Sequence, residues 1–568
     1  MARQAPHGDG GLTRSVERRE KMGYVKPLGS ESSASAVTDD GVTDDGVDDG
    51  GVAEGGVVEG GVVDDRAGEA CGVFGVYAPG QSVAHLTYRG LYAVQHRGQE
   101  AAGMAVSDGD SITVVKDMGL VTNVFNERNL APLTGHLAIG HTRYSTTGAS
   151  VWKNAQPIYR GVGDAEFALG HNGNLTNTVE LAEGLGVLPG TLQSDSDVVA
   201  ELIQEAIVAA GPGARSDGRD LERALMTVLP GLKGAFSFVL MDEAHVVGVR
   251  DPNGFRPLCL GRLDSGWVLA SETPALDIVG AHFVRELEPG EMVVIDTTGT
   301  RSIHPFPPER INPKLCLFEF VYFARPDSLL YGQTVHSARQ RMGELLADQS
   351  PLPPPSSPRS GTQEADAEAM VMPVPESGIP AAEGYARRSG IPFGHGLVKN
   401  RYIGRTFIVP SQDQRSQGVR MKLNPIRDNI VGKRLVVVDD SIVRGTTTRA
   451  MVAMLREAGA AEIHLRISSP PYRWPCFYGM DTGTRSQLLA ADLTVPQVRE
   501  YLACDTLAYL DLDRLLTATG AASSGFCAAC ITGSYPVAIP GMEAPGPPAP
   551  EILPIAEQLA VDPVHPCG

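Results

Sequence analysis

The chain has 568 residues, of which 42% are apolar and 20% are charged, so it can form two large domains or three to four ordinary ones. Its 67 acidic and 48 basic residues give a formal net charge of −19, which argues against a surface that binds nucleic acid or anionic lipid. No apolar run approaches the roughly 18 to 20 residues that span a bilayer, and the N-terminus lacks a secretory apolar stretch, so we expect a cytoplasmic protein without nucleic-acid or membrane partners.

Residues 1–70 are predicted to be a disordered acidic leader. From Val37 a five-residue unit repeats, in which one or two valines stand among Gly, Asp and Glu. Isolated valines cannot bury enough apolar surface to offset the entropy of ordering the chain. For the same reason the repeat does not predict a solenoid, which needs a continuous core.

Residues 71–305 are predicted to form a mixed α and β domain. Short β-branched or aromatic runs, such as 236–240 and 292–295, alternate with Gly and Asn turns. Helical patterns interrupt these runs at 85–95 and 197–209.

Cys71 stands where the leader meets this domain, in the string Glu-Ala-Cys-Gly-Val-Phe-Gly. A lone cysteine at the start of a strand is ordinarily a small buried apolar residue. If the leader is removed at the Ala70–Cys71 bond, Cys71 carries both a thiol and a free α-amine. That amine titrates near roughly 7.7 to 8.0 and can act as the base for the thiol. The hypothesis is a nucleophile that needs no catalytic histidine, which resembles the N-terminal nucleophile hydrolases.

Three further strings in this domain carry polar groups that can bind a substrate. Arg143, in Gly-His-Thr-Arg-Tyr, can clamp a carboxylate through two hydrogen bonds. Asn172 and Gly173, in Gly-His-Asn-Gly-Asn, offer a side-chain amide and a backbone N–H, the two donors of an oxyanion hole, although Asn-Gly is also a common turn. Asp195, in Ser-Asp-Ser-Asp, offers a carboxylate for an amino group or belongs to a helix N-cap box.

In this order, after the Cys-Gly-Val-Phe-Gly start, the strings resemble the class II glutamine amidotransferases. The resemblance implies that Arg143 and Asp195 hold the two ends of glutamine. It also implies that Asn172 and Gly173 stabilise the tetrahedral intermediate, and that Cys71 forms a glutamyl thioester.

Residues 306–540 are predicted to form a second domain with a parallel sheet, because strand, helix and strand patterns follow one another. Pro305, Pro307 and Pro308 mark the boundary. The Pro- and Ser-rich stretch 350–360 is predicted to be a surface loop, and 541–568 to be a loose Pro-rich tail.

The clearest signal in this domain is the string Leu-Val-Val-Val-Asp-Asp-Ser-Ile-Val-Arg-Gly-Thr-Thr-Thr at 435–448. Four apolar residues predict a buried strand, a helix is predicted at 449–458, and the turn between them can cradle a phosphate with N–H groups and hydroxyls. Paired acids before the cradle suit a ligand with a ribose or a bound Mg²⁺, although a bare Asp-Asp is also typical of a solvated strand end. Neither a P-loop nor a dinucleotide fingerprint is present.

The full string resembles the phosphoribosyl pyrophosphate (PRPP) loop of the type I phosphoribosyltransferases. The resemblance implies that the acids bind Mg²⁺ and the ribose hydroxyls, and that the turn binds the 5′-phosphate. The implied PRPP-binding set is Asp439, Asp440, Ser441, Arg444, Gly445, Thr446, Thr447 and Thr448. Basic stretches at 399–405 and 420–424 favour an anionic substrate, with a solvated face as the alternative.

Cys527 and Cys530 form a C-x-x-C pair, which is typical of a redox pair, half of a zinc site or half of an iron–sulfur site. Eight cysteines in a cytosolic chain indicate thiol chemistry or metal ligation rather than a disulfide framework. Spacing alone leaves the further ligands open among Cys259, Cys316, Cys476 and Cys504.

Residues 71–537 as a whole resemble the glutamine PRPP amidotransferase family, on the strings Cys-Leu-Phe-Glu-Phe-Val-Tyr-Phe-Ala-Arg-Pro-Asp at 316–327 and Pro-Cys-Phe-Tyr-Gly-Met-Asp at 475–481. The resemblance implies an α+β N-terminal nucleophile hydrolase domain, built as an αββα sandwich, followed by an α/β type I phosphoribosyltransferase domain with a parallel sheet. The implied reaction transfers ammonia from glutamine to PRPP, giving 5-phosphoribosylamine, glutamate and pyrophosphate, as the first step of de novo purine biosynthesis.

The resemblance also implies cofactors and partners. One branch of the family has a propeptide and a [4Fe–4S] cluster. This chain resembles that branch because it has a leader and because all four positions that correspond to cluster ligands are cysteines: Cys316, Cys476, Cys527 and Cys530. One Mg²⁺ per subunit is implied at Ser377, Asp439 and Asp440. A homotetramer and inhibition by purine nucleotides are implied as well. The leader is far longer than the family's propeptide, which leaves its cleavage and the true start codon open.

Two alternatives are less well supported. An amidotransferase for another acceptor, such as an asparagine or glucosamine-6-phosphate synthase, needs a nucleotide-binding Ser-Gly-Gly motif or a sugar-phosphate isomerase domain, and we find neither. A PRPP-binding regulator of transcription needs a basic face and leaves the glutaminase strings unexplained.

Overall fold

Strands of alternating inward and outward side chains build the first domain. A computed structural model describes residues 71–144, 150–163, 165–188, 191–211, 218–355, 368–400, 421–480, 482, 484–521 and 525–542. All of them belong to one unit of the chain, Gly60–Gly568. The predicted leader lies outside the described residues, as do 356–367, residues 401–405 and 420 of the two basic stretches, and nearly all of the predicted tail.

The first domain contains two antiparallel sheets. In chain order its strands are β1 (Gly72–Tyr77), β2 (Ala101–Ser107), β3 (Ile112–Met118), β4 (Leu137–Arg143), β5 (Ile158–Val162), β6 (Ala165–Leu175), β7 (Gly234–Met241), β8 (Val246–Arg250), β9 (Cys259–Leu263), β10 (Gly266–Ala270), β11 (His282–Glu286), β12 (Met292–Asp296) and β13 (Gly299–Ile303). One sheet has seven strands in the order β11-β9-β10-β1-β4-β2-β3, and the other has six in the order β13-β12-β8-β7-β6-β5.

The two sheets stack with helices on their outer faces. Alternation along β1 shows why: Val73 joins the core between the sheets, whereas Phe74 and Val76 face the helix Val83–Ala93. The helices Asp195–Ala210 and Asp220–Val228 cover the outer face of the six-stranded sheet. Short helices complete the domain at Val121–Val124, Glu127–Leu130, Thr178–Gly184 and Pro274–Asp277. These layers confirm the predicted αββα sandwich.

The second domain is built on a parallel sheet, which also confirms the prediction. Its strands are β14 (Leu315–Cys316), β15 (Leu329–Leu330), β16 (Gln333–Thr334), β17 (Ala369–Pro373), β18 (Leu397–Lys399), β19 (Leu423–Pro425), β20 (Arg434–Asp439), β21 (Glu462–Ile467), β22 (Thr506–Tyr509) and β23 (Phe526–Cys527). The parallel sheet has the order β17-β20-β21-β22, and β14 pairs in parallel with β23.

Both faces of β20 are covered, which explains its continuous apolar run. Val436 and Val438 pack toward the helices Val335–Gln349 and Ile379–Ser389, and Leu435 and Val437 pack toward the opposite layer. The helices of that opposite layer include Thr446–Glu457 and Val495–Leu502. The remaining helices are Arg427–Ile430, Leu489–Asp492, Leu512–Thr519 and Ala529–Thr532.

Several element boundaries differ from the predictions because capping residues move them. The helix predicted at 197–209 is Asp195–Ala210, since the Ser194 hydroxyl caps it by accepting from the Asp197 N–H. The helix predicted at 449–458 is Thr446–Glu457, since Gly445 at φ +80° starts it and the three threonines form its first turn. The helix predicted at 85–95 begins and ends two residues earlier, at Val83 and Ala93. The domain boundary near residue 305 stays a prediction.

Within the described ranges, no helix is long and apolar enough to cross a membrane.

Candidate active sites

The Cys71 thiol lies buried at the start of β1, in contact with the end of β4. Its Sγ donates to the Tyr144 carbonyl at 3.3 Å, and the Tyr144 N–H donates to Sγ at 3.4 Å. Burial raises the pKa of the Cys71 thiol to about 11, against smaller opposing effects of the Tyr144 backbone and the Arg143 charge. The thiol is therefore protonated at neutral pH, and a nearby base has to remove its proton before it can attack.

Asn172 lies next to Gly173 on β6, and its side chain is fully buried. Neither Nδ2 nor Oδ1 of Asn172 has a hydrogen-bond partner among the described residues. A buried amide left without a partner is costly unless a ligand completes its bonds. Asn172 itself is not among the residues that line the cleft at Cys71, whereas its neighbour Gly173 is.

Gly173 is required by its surroundings. Its backbone has φ +151°, and a Cβ at this position would collide with the Ala235 carbonyl on the neighbouring strand β7. The absence of a side chain lets the backbone of Gly173 line the cleft beside the Cys71 thiol.

Asp195 is the first residue of its helix, and it is buried. Its Oδ2 accepts from the Leu175 N–H at 3.1 Å, and its Oδ1 accepts from the Ser196 N–H at 2.8 Å. These bonds fix the carboxylate at one end of the cleft. Arg143, at the end of β4, is also buried and lies within 3.8 Å of the Glu100 carboxylate.

The structure thus brings distant strings into a single narrow cleft. The residues that line it include Cys71, Arg143, Tyr144, Gly173, Ser194 and Asp195. An amino acid with a side-chain carbonyl has three polar groups that these residues complement. The Gly173 backbone suits the carbonyl, the Asp195 carboxylate suits the amino group, and the Arg143 guanidinium suits the carboxylate. The cleft therefore combines a thiol with polar groups that complement those of an amide substrate.

Sequence reasoning gave no role to several residues that line this cleft, among them Gln156 and Ser196. Gln156 Oε1 accepts from the His171 N–H at 2.7 Å, and Gln156 Nε2 donates to the Ser196 hydroxyl at 3.0 Å. Together they tie the strand that carries Asn172 to the helix that carries Asp195. A glutamine before a proline carries no motif, so no sequence signal pointed to this role.

The second candidate site lies at the carboxyl end of β20. Asp439 ends the strand, and its Oδ1 accepts from the Asp440 N–H at 3.0 Å. The Ser441 hydroxyl donates to Asp440 Oδ1 at 2.7 Å, whereas the buried Oδ2 of Asp440 has no partner among the described residues. The carboxyl edge of a parallel sheet is where open α/β folds bind ligands.

The turn after these acids opens a helix. Gly445 has φ +80°, and its carbonyl accepts from the Arg449 N–H at 2.9 Å. A Cβ on Gly445 would collide with the Leu489 side chain. Arg444 reaches Gln487 at 3.1 Å. The first turn, Thr446, Thr447 and Thr448, presents N–H groups and hydroxyls at a helix N-terminus, where a phosphate binds favourably.

Ser377 follows β17, which pairs in parallel with β20. The Val374 N–H donates to the Val438 carbonyl at 2.9 Å, so the Ser377 turn and the acidic pair share an edge of the sheet. The Ser377 hydroxyl is buried and has no partner among the described residues. It is therefore free to bind a ligand or cation at this edge.

The four cysteines of the predicted cluster approach one another at the junction of β14 and β23. Cys316 and Cys527 are directly paired across these strands, and the Tyr478 N–H donates to Cys476 Sγ at 3.4 Å. Burial first, and then the neighbouring thiols of Cys316, Cys476 and Cys527, raise the pKa of Cys530 well above its ordinary value. Of the remaining cysteines, Cys259 and Cys504 are buried apart from this group, and Cys567 lies outside the described residues.

Among the residues that the structure describes, no three His, Cys, Asp or Glu side chains are placed to hold a single metal ion. In a cluster each thiolate binds a different iron, so its four ligands do not converge on one point as the ligands of one ion do.

A thiol cleft in an αββα sandwich, joined to a phosphate-binding edge on a parallel sheet, defines an amidotransferase with separate glutaminase and phosphoribosyltransferase domains. Family models agree: the glutamine amidotransferase domain matches residues 141–277 and the phosphoribosyl transferase domain matches residues 361–468.

Relatives over most of the chain specify the family. The amidophosphoribosyltransferase of Mycobacterium tuberculosis is 51% identical over 485 residues, which cover 83% of this chain and 87% of that protein. The Bacillus subtilis amidophosphoribosyltransferase is 45% identical, covering 83% of this chain and 95% of the relative. The chain belongs to the amidophosphoribosyltransferase family.

Solved structures agree with this assignment. The glutamine PRPP amidotransferase from Bacillus subtilis, complexed with ADP and GMP, has a TM-score of 0.73 at 43% identity, covering 84% of this chain and 99% of that one. A structure described as the allosteric regulatory enzyme of purine biosynthesis also has a TM-score of 0.73, at 44% identity, covering 83% of this chain and 97% of that one. The protein is a pentosyltransferase that transfers ammonia from glutamine to PRPP in purine biosynthesis, which confirms the predicted function.

Proposed function

We propose that Cys71, freed as an N-terminal residue by cleavage of the Ala70–Cys71 bond, is the glutaminase nucleophile. The observation that carries this role is the pairing of a buried thiol with a cleft whose nearby amide, that of Asn172, has no hydrogen-bond partner among the described residues. The hydrogen bonds of the Cys71 thiol run to the Tyr144 backbone rather than to a histidine. A free α-amine on Cys71 itself supplies the base that the thiol needs.

In this mechanism the α-amine takes the thiol proton and the thiolate attacks the glutamine side-chain carbonyl. Negative charge develops on the carbonyl oxygen, which accepts hydrogen bonds from Asn172 Nδ2 and the Gly173 N–H. The amide nitrogen leaves as ammonia with the proton, and a glutamyl thioester remains on Cys71. Water then hydrolyses the thioester to glutamate. Arg143 binds the α-carboxylate of glutamine, and Asp195 binds its α-ammonium group.

Ammonia reacts at the second site. The first turn Thr446–Thr448, with Ser441, Arg444 and Gly445, binds the 5′-phosphate of PRPP, and Asp439 and Asp440 bind the ribose hydroxyls. The ammonia nitrogen bonds to carbon 1 of the ribose as the bond to pyrophosphate breaks. Asp440, Ser377 and Asp439 fit one Mg²⁺, since oxygen ligands suit this ion and two of their buried oxygens have no partner among the described residues. When bound, Mg²⁺ offsets the negative charge of the departing pyrophosphate.

The four cysteines Cys316, Cys476, Cys527 and Cys530 fit a [4Fe–4S] cluster. They are thiols of the type that holds such clusters, and they meet at one junction of the second domain. A cluster there would tie β14, β23 and the segment after Cys476 together, which is a structural role.

Regulation and assembly extend the proposal. The B. subtilis relative is complexed with ADP and GMP, so we propose purine nucleotides as inhibitors of this chain too. We also propose a homotetramer in the cytoplasm, on the family resemblance.

Pyrophosphate release from PRPP and Mg²⁺ tests the proposal, measured with glutamine and with ammonium at high pH. Wild-type protein with a mature Cys71 terminus, checked by mass spectrometry, is expected to use both donors. Cys71→Ser is expected to lose the glutamine-dependent rate and keep the ammonium-dependent rate. If Cys71→Ser retains the glutamine-dependent rate, the nucleophile is a different residue.

A further inference from the structure

We infer that residues 477–479 of the second domain are a positioning element for the oxyanion hole of the first. The inference rests on the role proposed above for Asn172 and Gly173. The segment holds β6 at the point where the two donors lie, so glutamine hydrolysis depends on a loop that belongs to the other domain.

Two contacts join the segment to β6. Asn174 Nδ2 donates to the Phe477 carbonyl at 3.0 Å. The backbone of Gly479 lies directly against Gly173, because a Cβ on Gly479 would come within 2.9 Å of the Gly173 carbonyl carbon and 3.0 Å of its Cα. Only a glycine allows this approach, and its φ of +95° also favours glycine.

The segment is itself held rigidly. The Tyr478 carbonyl accepts from Arg256 Nε at 3.2 Å and from Arg256 Nη2 at 3.0 Å. The Tyr478 ring stacks on Phe255 at 4.4 Å between centroids, and its hydroxyl donates to the Val537 carbonyl at 2.6 Å. Arg256 is fully buried, so these bonds are shielded from water.

Gly173 has little room to move in response. On the other side β7 pairs with β6 through Phe236, and the Ala235 carbonyl closes the space where a Cβ would lie. A group added at Gly479 therefore displaces either the strand or the segment. Displacements of about 0.5 Å are enough to degrade a catalytic constellation.

The expected consequence is confined to one half-reaction. Arg143 and Asp195, proposed to bind the ends of glutamine, lie on β4 and on the helix Asp195–Ala210 rather than on β6, so the KM for glutamine is expected to change little. Loss of one oxyanion donor costs about 10²- to 10³-fold in kcat, and its displacement is expected to cost at least about tenfold. The contacts of the segment described above run to Asn174, Gly173, Arg256, Phe255 and Val537 rather than to Asp439, Asp440 or the first turn Thr446–Thr448, so the ammonium-dependent rate is expected to persist.

The test compares Gly479→Ala with Gly390→Ala in the full-length mature enzyme. Gly390 has φ +73°, and a Cβ added there would meet no atom within 4 Å. Gly390→Ala therefore introduces backbone strain without a new contact. We expect Gly479→Ala to lower the glutamine-dependent kcat at least tenfold with an unchanged KM, an unchanged ammonium-dependent rate and unchanged alkylation of Cys71 by iodoacetamide. Gly390→Ala is expected to match the wild type in all four.

A second variant keeps the test decisive if Gly479→Ala fails to fold and loses both activities. Asn174→Ala removes the hydrogen bond to Phe477 and adds no bulk, and it is expected to lower the glutamine-dependent kcat in the same selective way. Wild-type glutamine-dependent kcat in Asn174→Ala, or in a folded Gly479→Ala, overturns the inference, as does a change confined to KM.

Asn172→Ala separates this inference from the proposed function. If Asn172→Ala keeps the full glutamine-dependent rate, the oxyanion assignment itself is wrong. If Asn172→Ala is slow while Gly479→Ala and Asn174→Ala are not, the oxyanion hole stands and the positioning role fails.

Discussion

Arg97 of the first domain and Glu319 of the second form a fully buried ion pair. Arg97 Nη1 donates to Glu319 Oε1 at 3.3 Å, and Nη2 also reaches Oε2. Arg256 Nη1 shares the same carboxylate at 3.3 Å, and Arg97 also bonds to Glu272. Burial alone would lower the pKa of Arg97, but the charges of Glu272 and Glu319 raise it above its ordinary value. The two domains are thus joined by mutually compensating buried charges.

Removing the shared carboxylate is expected to destabilise the protein strongly. Glu319→Gln leaves buried Arg256 without its carboxylate partner and leaves Arg97 with Glu272 alone, and breaking a buried pair costs about 3–5 kcal/mol. The control is Glu344→Gln, whose partner Arg387 is exposed, where about 0–1 kcal/mol is expected. Urea unfolding of the two variants and the wild type measures the loss in free energy of unfolding for each variant. Equal losses would show that the interdomain network contributes no more than a surface pair.

Acid stability is expected to depend on Glu272. Burial alone would raise the pKa of this carboxyl, but Arg97 and His96 hold it well below its ordinary value. A carboxyl with a lowered pKa stabilises the fold above its unfolded pKa of about 4.3, and this contribution is lost as the pH falls through the folded pKa. Glu272→Gln is therefore expected to be less stable at pH 7 and to lose less on acidification below about pH 4. If the stabilities of Glu272→Gln and wild type change in parallel with pH, the prediction is wrong. The exposed Glu180→Gln serves as the reference variant.

Asp440 is expected to be essential at the second site alone. Asp440→Asn removes the charge from the buried Oδ2 that has no partner within the described ranges, and it should reduce pyrophosphate release by about 10²-fold with glutamine and with ammonium. A steeper requirement for Mg²⁺ should accompany the loss. The matched control is Asp428→Asn, at an exposed position of the same domain. Normal PRPP kinetics in Asp440→Asn would place the ribose elsewhere.

Gly445 is expected to set the affinity for PRPP. Gly445→Ala puts a side chain at φ +80°, which costs about 1–2 kcal/mol, and drives it into Leu489. The KM for PRPP is expected to rise at least about tenfold with either ammonia source. Gly432→Ala has φ +72° and an open surrounding, so it controls for backbone strain. A PRPP KM in Gly445→Ala equal to that of the control would show that the loop conformation does not matter.

Cys527 is expected to be needed for iron binding and for the thermal half-life of the folded protein. Cys527→Ser should lower the iron content of anaerobically purified protein and shorten its half-life at elevated temperature. Cys504→Ser, at a buried cysteine outside the four, should change neither. A Cys527→Ser protein that folds normally and keeps its full lifetime without iron would contradict the structural role of a cluster.

Local strings predicted the chemistry better than the boundaries. Asp439 and Asp440 are adjacent in sequence, and a buried strand with an acidic pair fixes their place at a sheet edge. The helix after them begins at Thr446 rather than Arg449, because a left-handed glycine starts a helix that threonine propensity alone disfavours. The contact between Gly173 and Gly479 has no local signal, since it arises only when two domains fold against each other. Gln156 was missed because its partners His171 and Ser196 come from other elements of the first domain, so no local string joins the three residues.

The pairing of β14 with β23 has a consequence for synthesis on the ribosome. Cys316 lies on β14, the first strand of the second domain. Its strand partner Cys527 lies near the end of the described residues and is therefore synthesised late. At about 5–20 residues per second, the interval between them is on the order of 10 to 40 seconds. Throughout that interval the nascent chain carries Cys316 and the apolar residues beside it without their strand partner. The late arrival of one short strand therefore sets the earliest moment at which the second domain can close.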